Sequence, residues 1–364
     1  MNTQKRPAGI ATPAQRRDFS EIIDTRSPAE FAADHIPGAI NCPALDDAER
    51  AEIGTLYKQV SAFAARRRGA ALVARNIAQH LLERFQDRGR DWRPLIYCWR
   101  GGKRSESFVT VFRQIGWDAH QLAGGYKAYR REVLEALESL PAKLSFCVLG
   151  GPTGSGKSRI LQELGRGGEQ VVDLEQLAAH RGSVLGGLSD LQQPTQKMFE
   201  SRLAEVLARC GADRPTFIEA ESAHIGRLRL PEALIGAMRG APCVCIEASR
   251  TTRAHHLLEE YTDQMAEPAA LAQRLAQLTA IRGHKMVAHW QDLIAAGAWE
   301  DLVQSLLAEH YDPLYQRSQR RDFAHYASAA AVPAADLSAA AWPHLARQVS
   351  LAAAAMLCSR PANT

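Results

Sequence analysis

The stretch that most constrains this fold is "LSFCVLGGPTGSGKS", residues 144–158. An apolar run typical of a buried strand leads into a loop with the pattern Gly-x4-Gly-Lys-Ser, and a helical pattern follows it. Glycines in such a loop let backbone N–H groups wrap a diphosphate, while the lysine neutralises charge and the serine holds Mg²⁺. We therefore predict a phosphate loop whose diphosphate-binding residues, the last of them also a metal ligand, are Gly151, Gly154, Gly156, Lys157 and Ser158.

Strands after this loop supply candidate carboxylates for acid–base catalysis or for a position beside a bound metal ion. Asp173 follows the apolar run "QVV", and Glu219 and Glu221 in "FIEAES" are predicted to share one face of a strand. The same groups could equally cap helices or pair with arginines. His180 and Arg181, in "HRGS", are weaker candidates for phosphate binding or acid–base catalysis.

A second anion-binding loop is predicted at "YCWRGGKRS", residues 97–105. A strand stops at the cysteine, two glycines let successive N–H groups point inward, and a helix starts near Ser105. A thiol reacts as the thiolate, whose pKa falls at a helix N-terminus among cations. A merely structural cysteine would need neither the glycines nor the cations. Cys98 is therefore predicted to be catalytic, within an oxyanion-binding loop of Arg100, Gly101, Gly102, Lys103 and Arg104.

Length and composition favour a globular enzyme with two domains. The chain has 364 residues, 46% of them hydrophobic and 23% charged, which is enough for two cores. Strands alternate with helices in both halves, which predicts an α/β fold with parallel sheets. We expect one domain over 1–138, a phosphate-loop domain with a helical extension over 139–325, and an Ala-rich helical tail over 326–364.

Charge and cysteine usage limit the classes of protein further. The net charge of +4 is too small to establish nucleic-acid binding by itself. Seven scattered cysteines without a Cys-x-x-Cys pair are typical of a reducing compartment, so we expect a cytoplasmic protein. No apolar run approaches the length of a membrane span, and the polar N-terminus lacks the apolar region of a signal peptide.

Residues from about 18 to 135 resemble a rhodanese domain. The resemblance is carried by "IIDTRSPAEFAADHIPGAIN", by the cysteine loop and by "LAGGYKAY". It implies that Cys98 carries a persulfide or its selenium analogue. It also implies that Asp24, Arg26 and His35 are scaffold residues near the loop rather than catalysts.

The cysteine loop departs from the usual rhodanese spacing. Many rhodanese loops have four residues between the cysteine and the arginine, whereas five separate Cys98 from Arg104. This Cys-x5-Arg spacing is also the phosphatase signature, and the larger ring should admit a tetrahedral oxyanion. Tyr97 stands where phosphatases usually carry a histidine, and the flanking motifs favour the rhodanese interpretation.

The two motifs together, with "GTLYKQ", "DLEQLAAHRGSVLG", "ESAHIG" and "HYDPLY", make the chain similar to the tRNA 2-selenouridine synthase family. Ala223 departs from that pattern, where a basic residue is common. The resemblance implies a transferase that replaces sulfur by selenium in the wobble 2-thiouridine of a tRNA anticodon loop. Geranyl diphosphate would first alkylate the sulfur, and selenophosphate would then displace the S-geranyl group. Mg²⁺ and an enzyme that supplies selenophosphate are further implied participants.

Binding of tRNA would use phosphate contacts and stacked bases. Candidate cations are Arg66 to Arg68, Arg317, Arg320 and Arg321, and candidate aromatics are Trp99, Tyr311 and Tyr315. Two alternatives remain open from the residues alone. One is an ATP-dependent tRNA sulfurtransferase or kinase, in which the phosphate loop hydrolyses nucleotide. The other is a regulatory phosphate-binding module with an unreactive cysteine.

Overall fold

A computed structural model describes residues 9–180 and 192–358. The chain divides into two compact units, of which the first comprises residues up to Ala136 together with Glu200–Glu205, and the second comprises the remainder. Each unit contains a five-stranded sheet in which every pairing is parallel. The predicted α/β fold class is confirmed. Within the described ranges, no helix is both long and apolar enough to cross a membrane.

The first unit has the sheet order β1-β5-β4-β2-β3. Its central strand β4, "PLIY", is buried along its whole length, so its apolar side chains face helices on both sides of the sheet. The elements are β1 (Ile10–Ala11), β2 (Glu21–Asp24), α1 (Pro28–Ala33), β3 (Ile40–Asn41), α2 (Asp47–Gln59), α3 (Ala62–Arg84), β4 (Pro94–Tyr97), α4 (Lys103–Ile115), β5 (His120–Leu122) and α5 (Gly125–Ser139).

Aromatic side chains fill the core of the first unit. Phe112 of α4 packs edge-on against Phe85, Phe108 and Trp117, and each of these rings is at least nine-tenths buried. Burying a large ring contributes about 1.5–3 kcal/mol. This packing fixes α4, and with it the loop that joins β4 to α4.

The second unit has the sheet order β12-β11-β6-β8-β7 and a separate antiparallel pair, β9 with β10. Its elements are β6 (Phe146–Gly150), α6 (Lys157–Arg166), β7 (Gln170–Val172), α7 (Leu174–Ala178), α8 (Gln196–Leu207), β8 (Thr216–Glu219), β9 (His224–Ile225), β10 (Leu228–Arg229), α9 (Glu232–Arg239), β11 (Cys243–Glu247), α10 (Arg250–Glu260), α11 (Thr262–Met265), α12 (Pro268–Ala276), α13 (Thr279–Arg282), α14 (His284–Ala295), α15 (Trp299–Leu306), a π-helical turn (Leu307–Tyr311), α16 (Asp312–Asp322), β12 (Ala330–Pro333) and α17 (Trp342–Cys358).

The C-terminal segment differs from the predicted all-helical tail over 326–364. Ala330–Pro333 forms β12, which pairs in parallel with β11 at the edge of the sheet. Leu345 and Val349 of α17 pack in one core with Ile160 and Leu164 of α6. The prediction was wrong for Ala330–Pro333 because the Ala-rich composition hid a four-residue edge strand, whereas the helix α17 agrees with it. This segment therefore completes the core of the second unit.

Candidate active sites

The predicted thiol loop lies at the carboxyl end of β4. Cys98 is 3% exposed, and its sulfur accepts hydrogen bonds from the Gly102 N–H and the Ser105 hydroxyl, both at 3.1 Å. Burial by itself would raise the pKa of this thiol. Hydrogen bonds from the Ser105 hydroxyl and from the N–H groups of Ser105, Gly102 and Arg100 outweigh that effect and lower the pKa below its usual value.

The turn that brings these N–H groups inward depends on glycine. Gly101 has a φ of +66°, and a Cβ there would lie 3.0 Å from the carbonyl oxygen of Leu122. Gly125, at the start of α5, has a φ of +56°, and a Cβ there would collide with the Cys98 carbonyl oxygen. Tyr126 and Lys127 donate backbone hydrogen bonds to the carbonyls of Cys98 and Trp99. The two glycines of "LAGGYKAY" therefore let this segment pack closely against the thiol loop.

The three predicted cations differ in their positions. Arg104 donates to Glu30 at 3.1 Å, and Lys103 contacts Glu106 at 3.0 Å with a side chain that is 91% exposed. Arg100 is exposed, and its backbone N–H faces the sulfur. Backbone and hydroxyl donors therefore stabilise the thiolate directly, while the Arg104 and Lys103 side chains pair with carboxylates.

The three residues predicted as scaffold have partners outside the thiol loop. Asp24 and Arg26 form a fully buried ion pair at 2.6 Å, and the Arg26 guanidinium lies 3.9 Å from the ring centre of Tyr126. His35 stacks on Phe31 and hydrogen-bonds its carbonyl at 2.9 Å. None of these contacts involves the sulfur, as expected for residues that support the loop.

Ser105 and Gln121 were not predicted as site residues. The Ser105 hydroxyl has one proton, which it can give to the Cys98 sulfur at 3.1 Å or to the Gly102 carbonyl at 3.2 Å. Gln121, on β5, donates to both Ser105 Oγ and the Gly102 carbonyl, at 2.8 and 3.1 Å. Because Gln121 already donates to the Gly102 carbonyl, the Ser105 hydroxyl donates its proton to the Cys98 sulfur. The serine directly after the loop arginine was a usable sequence signal, but Gln121 had none.

We expect Ser105→Ala to slow alkylation of Cys98 by iodoacetamide at pH 7 by roughly two- to tenfold, the net value of one hydrogen bond. Without the hydroxyl the pKa of Cys98 rises, so the rate should recover at high pH. The check is the pH dependence of the alkylation rate, with Ser107→Ala as a control on the exposed side of α4. Equal pH profiles for both variants would contradict this assignment.

The predicted phosphate loop joins β6 to α6, and its glycines adopt the left-handed conformations that other residues rarely tolerate. Gly154 and Gly156 have φ values of +81° and +76°. A Cβ on Gly156 would lie 2.6 Å from the Trp342 ring, and one on Gly154 would lie 2.8 Å from Leu257. Trp342 and Leu257 therefore pack against the outer side of the loop. The loop N–H groups and the N-terminus of α6 are arranged to bind an anion.

Lys157 and Gly151 are held by partners within the loop region. The Lys157 ammonium donates to the Gly151 carbonyl at 2.7 Å and lies 5.4 Å from the ring centre of Tyr315. The Gly151 N–H donates to the Tyr315 hydroxyl at 2.6 Å. Tyr315, a candidate base-stacking aromatic from the sequence, therefore supports the phosphate loop and also lines the cavity in front of it.

A buried ion pair forms the back of the loop. Arg253 makes two hydrogen bonds to Asp312, at 2.9 and 2.8 Å, and a third to the Thr153 carbonyl at 2.9 Å. Both side chains are largely buried. Asp312 lies in the segment "HYDPLY" noted in the sequence, but its pairing with Arg253 was not predicted.

The carboxylates near Ser158 divide into different roles. Ser158 donates to Glu175 at 2.8 Å, a residue that the sequence analysis did not single out. Asp173 accepts from the Gln176 N–H at 2.8 Å and caps α7, which is the capping alternative left open from the sequence. Glu219 ends β8 and accepts from the Glu175 N–H at 2.7 Å. Glu221 lies beyond the end of β8, so the prediction that it shares a strand face with Glu219 is wrong.

Burial, aided at Glu219 and Glu221 by neighbouring negative charge, raises the pKa of these carboxyl groups, so they stay protonated to a higher pH than usual. Burial, with the nearby charge of Glu175, raises the pKa of Glu221 to about 8. Burial also raises the pKa of Asp173, and together with Glu175 and Asp173 it raises that of Glu219. In the described part of the chain, no three His, Cys, Asp or Glu side chains form a metal-binding cluster.

We expect the protonation state of Glu221 to influence anion binding at the phosphate loop. Below about pH 8 its carboxyl is neutral, and above that pH it becomes an anion beside the phosphate loop. We expect inorganic diphosphate, without Mg²⁺, to bind more weakly as the pH rises from 7 to 9. Calorimetry of wild type and Glu221→Gln at each pH isolates this effect, because the titration of diphosphate itself is common to both. Parallel pH profiles would contradict the prediction.

A cavity of about 500 Å³ opens in front of the phosphate loop. Its lining includes Lys157, Ser158, Glu175, Glu221 and His180. Burial lowers the pKa of His180, which favours its neutral form. The companion candidate Arg181 lies outside the described residues. The cavity combines an anion-binding floor with acidic walls, as a diphosphate bound together with a cation would require.

Two family models match the sequence. Residues 10–132 match the model described as Rhodanese-like domain, and residues 144–294 match that of the tRNA 2-selenouridine synthase AAA domain. Three similar proteins carry the name tRNA 2-selenouridine synthase. That of Nitrosomonas europaea is 35% identical over 70% of this chain and 66% of its own length. Those of Shewanella halifaxensis and Bordetella petrii are each 34% identical, over 81% and 82% of this chain and 87% of their own lengths.

The alignments differ in extent. This chain spans just under two thirds of the length of the Nitrosomonas relatives, but 87% of the Shewanella halifaxensis protein at 34% identity. Similarity of that breadth, across both the thiol loop and the phosphate loop, extends well beyond either motif alone. The chain belongs to the tRNA 2-selenouridine synthase family.

Proposed function

We propose that this chain replaces the sulfur of wobble 2-thiouridine in tRNA by selenium, using its two anion-binding loops for two successive steps. The observation that supports this most is the pairing of a thiol of lowered pKa with a separate phosphate loop on one chain. Family membership supplies the selenium and tRNA chemistry.

The phosphate loop would serve the first step. The thiocarbonyl sulfur of the base attacks C1 of geranyl diphosphate, the C–O bond breaks, diphosphate leaves, and N3 of the base loses its proton to solvent. Lys157 and the loop N–H groups stabilise the charge that develops on the leaving group. This use of the loop requires no phosphoryl transfer.

Residues near Ser158 fit a magnesium ion. Mg²⁺ in proteins is commonly held by one or two carboxylates together with substrate phosphates. Ser158 with Glu175, at 2.8 Å, offers hydroxyl and carboxylate oxygens, and Glu219 has one buried oxygen without a hydrogen-bond partner among the described residues. Bound there, Mg²⁺ would supply charge neutralisation for the diphosphate. Because no three His, Cys, Asp or Glu side chains cluster within residues 9–180 and 192–358, affinity for Mg²⁺ is expected to depend on the diphosphate.

The thiol loop would serve the second step. In the proposed route, the Cys98 thiolate attacks the phosphorus of selenophosphate. An S–P bond forms, the P–Se bond breaks, and selenide is released. Selenide attacks C2 of the S-geranylated base, the C–S bond breaks, and geranylthiol leaves after taking up a proton. Water then cleaves the S–P bond on Cys98. The alternative role for Cys98 is that of a selenium relay, in which its sulfur carries the selenium to the base.

The cations predicted from the sequence are the proposed contacts to tRNA phosphates. Arg66 and Arg67 are exposed on α3, and Arg317 and Arg320 are exposed on α16. Arg68 pairs with Glu52 at 2.7 Å and Arg321 with Asp322 at 2.9 Å. These two arginines would have to leave their carboxylate partners to bind tRNA phosphates. Trp99 is 38% exposed beside Cys98 and stacks on Tyr126 at 5.3 Å, a position suited to a splayed base.

Mass spectrometry of wobble nucleosides tests the proposal. The purified protein is incubated with 2-thiouridine tRNA, geranyl diphosphate and Mg²⁺, with or without selenophosphate. We expect S-geranyl product without selenophosphate and 2-selenouridine with it. If neither product forms while ATP is consumed in the presence of tRNA, the ATP-dependent sulfurtransferase or kinase takes precedence. If neither product forms, ATP is not consumed and the Cys98 thiol is unreactive, the regulatory phosphate-binding module takes precedence.

A further inference from the structure

We propose that an apolar cleft beside the phosphate cavity binds the hydrocarbon chain of the diphosphate substrate and limits its length. The inference rests on the proposed function, because it requires a diphosphate at the phosphate loop. It adds a binding site formed mainly by helices of the second unit, which adjoins the phosphate loop at Thr153.

The cleft lies among helices that follow β11. Its walls come from α10, α11, α12 and α15, and they include Leu258, Met265, Leu271, Trp299, Leu302 and Val303. No residue lining the cleft carries a charge, and its polar members are Thr153, Gln264 and two tyrosines. Such a surface favours hydrocarbon, whereas the edge of a nucleobase calls for several placed donors and acceptors.

The cleft is continuous with the phosphate cavity. Thr153, Leu257 and Tyr261 line both spaces. At their junction the Arg253 charge behind Thr153 is neutralised by Asp312. A ligand with its phosphates on the glycine loop therefore meets an uncharged rim and then an apolar space. That order matches a diphosphate joined to a hydrocarbon chain.

The size of the cleft indicates a short chain. Its volume is about 70 Å³, against about 500 Å³ for the phosphate cavity measured in the same way. So small a cleft is suited to a short hydrocarbon segment rather than to a long chain. We infer that the first isoprene unit crosses the rim and the second fills the cleft.

Binding of a diphosphate series by calorimetry with Mg²⁺ tests this inference. The ligands are inorganic diphosphate and the dimethylallyl, geranyl and farnesyl diphosphates, with ATP as the nucleotide comparison. Since each buried methylene contributes roughly fourfold in affinity, geranyl diphosphate should bind at least about tenfold tighter than the dimethylallyl compound. The farnesyl compound should gain nothing further.

Two cleft variants should shift this preference in opposite directions. Val303→Phe narrows the cleft and should weaken geranyl diphosphate about tenfold or more, while inorganic diphosphate stays within about twofold. Met265→Ala widens the cleft and should favour the farnesyl compound, a gain that misfolding cannot produce. Ile281→Phe, at an exposed site on α13, adds the same ring elsewhere and should change neither affinity.

Other results would overturn the inference. One is equal affinity for inorganic and geranyl diphosphates, and another is a geranyl preference that both cleft variants leave unchanged. Tighter binding of ATP, with the same sensitivity to Val303→Phe, would assign the cleft to a nucleobase. Failure of the proposed function would look different, because chain-dependent binding would persist without any transfer to tRNA.

Discussion

Cys98→Ser is expected to reduce selenation of S-geranylated tRNA by on the order of 10³-fold or more, because it removes the nucleophile. A serine hydroxyl stays protonated where a thiol of lowered pKa ionises, and the hydrogen bonds from Gly102 and Ser105 cannot compensate for that difference. S-geranylation should stay within about twofold of wild type, since the phosphate loop belongs to the second unit. The measurement is single-turnover selenation with pre-geranylated tRNA.

A neighbouring thiol provides the control for that experiment. Cys42 is fully buried in the same unit, and burial raises the pKa of its thiol to about 11. Cys42→Ala should keep selenation close to wild type once folding has been verified. Selenation that persists in Cys98→Ser, with selenophosphate as donor, would show that selenide reaches the base without this thiol.

The thiol loop shows what the sequence could predict and what it could not. Residues Cys98 to Arg104 are contiguous, and the two glycines make a local demand on the backbone that is readable from the chain. Gln121 acts through a contact to Ser105 sixteen residues away, which depends on the parallel register of β4 and β5. Tertiary placement of this kind leaves no local pattern, so the residue was missed.

The phosphate loop gives the same contrast over longer distances. Gly151 to Ser158 and the flanking strand and helix follow from local sequence, whereas the supporting contacts come from Tyr315, Arg253 and Trp342. These residues lie about 100–190 positions further along the chain. The cleft likewise depends on the packing of five helical elements, and the alanine-rich tail concealed the edge strand β12. Local backbone requirements were therefore predictable, and long-range support was not.

Lys157→Met is expected to lower kcat/KM for S-geranylation by about 10²- to 10³-fold, because it removes the charge that stabilises departing diphosphate. Methionine keeps much of the side-chain length but cannot donate to the Gly151 carbonyl or to a phosphate. Selenation of pre-geranylated tRNA should be unaffected. Initial rates of S-geranyl nucleoside formation, measured at saturating Mg²⁺, give the comparison.

The matched control is Lys143→Met, which removes an exposed lysine just before β6 in the same unit. It should leave both steps unchanged, so a loss seen only in Lys157→Met reports on the loop rather than on net charge. Geranylation at the wild-type rate in Lys157→Met would assign the alkylating step to another site. Loss of both steps in Lys157→Met, with the fold intact, would instead mean that the second reaction also depends on this loop, and the division of tasks between the loops would have to be abandoned.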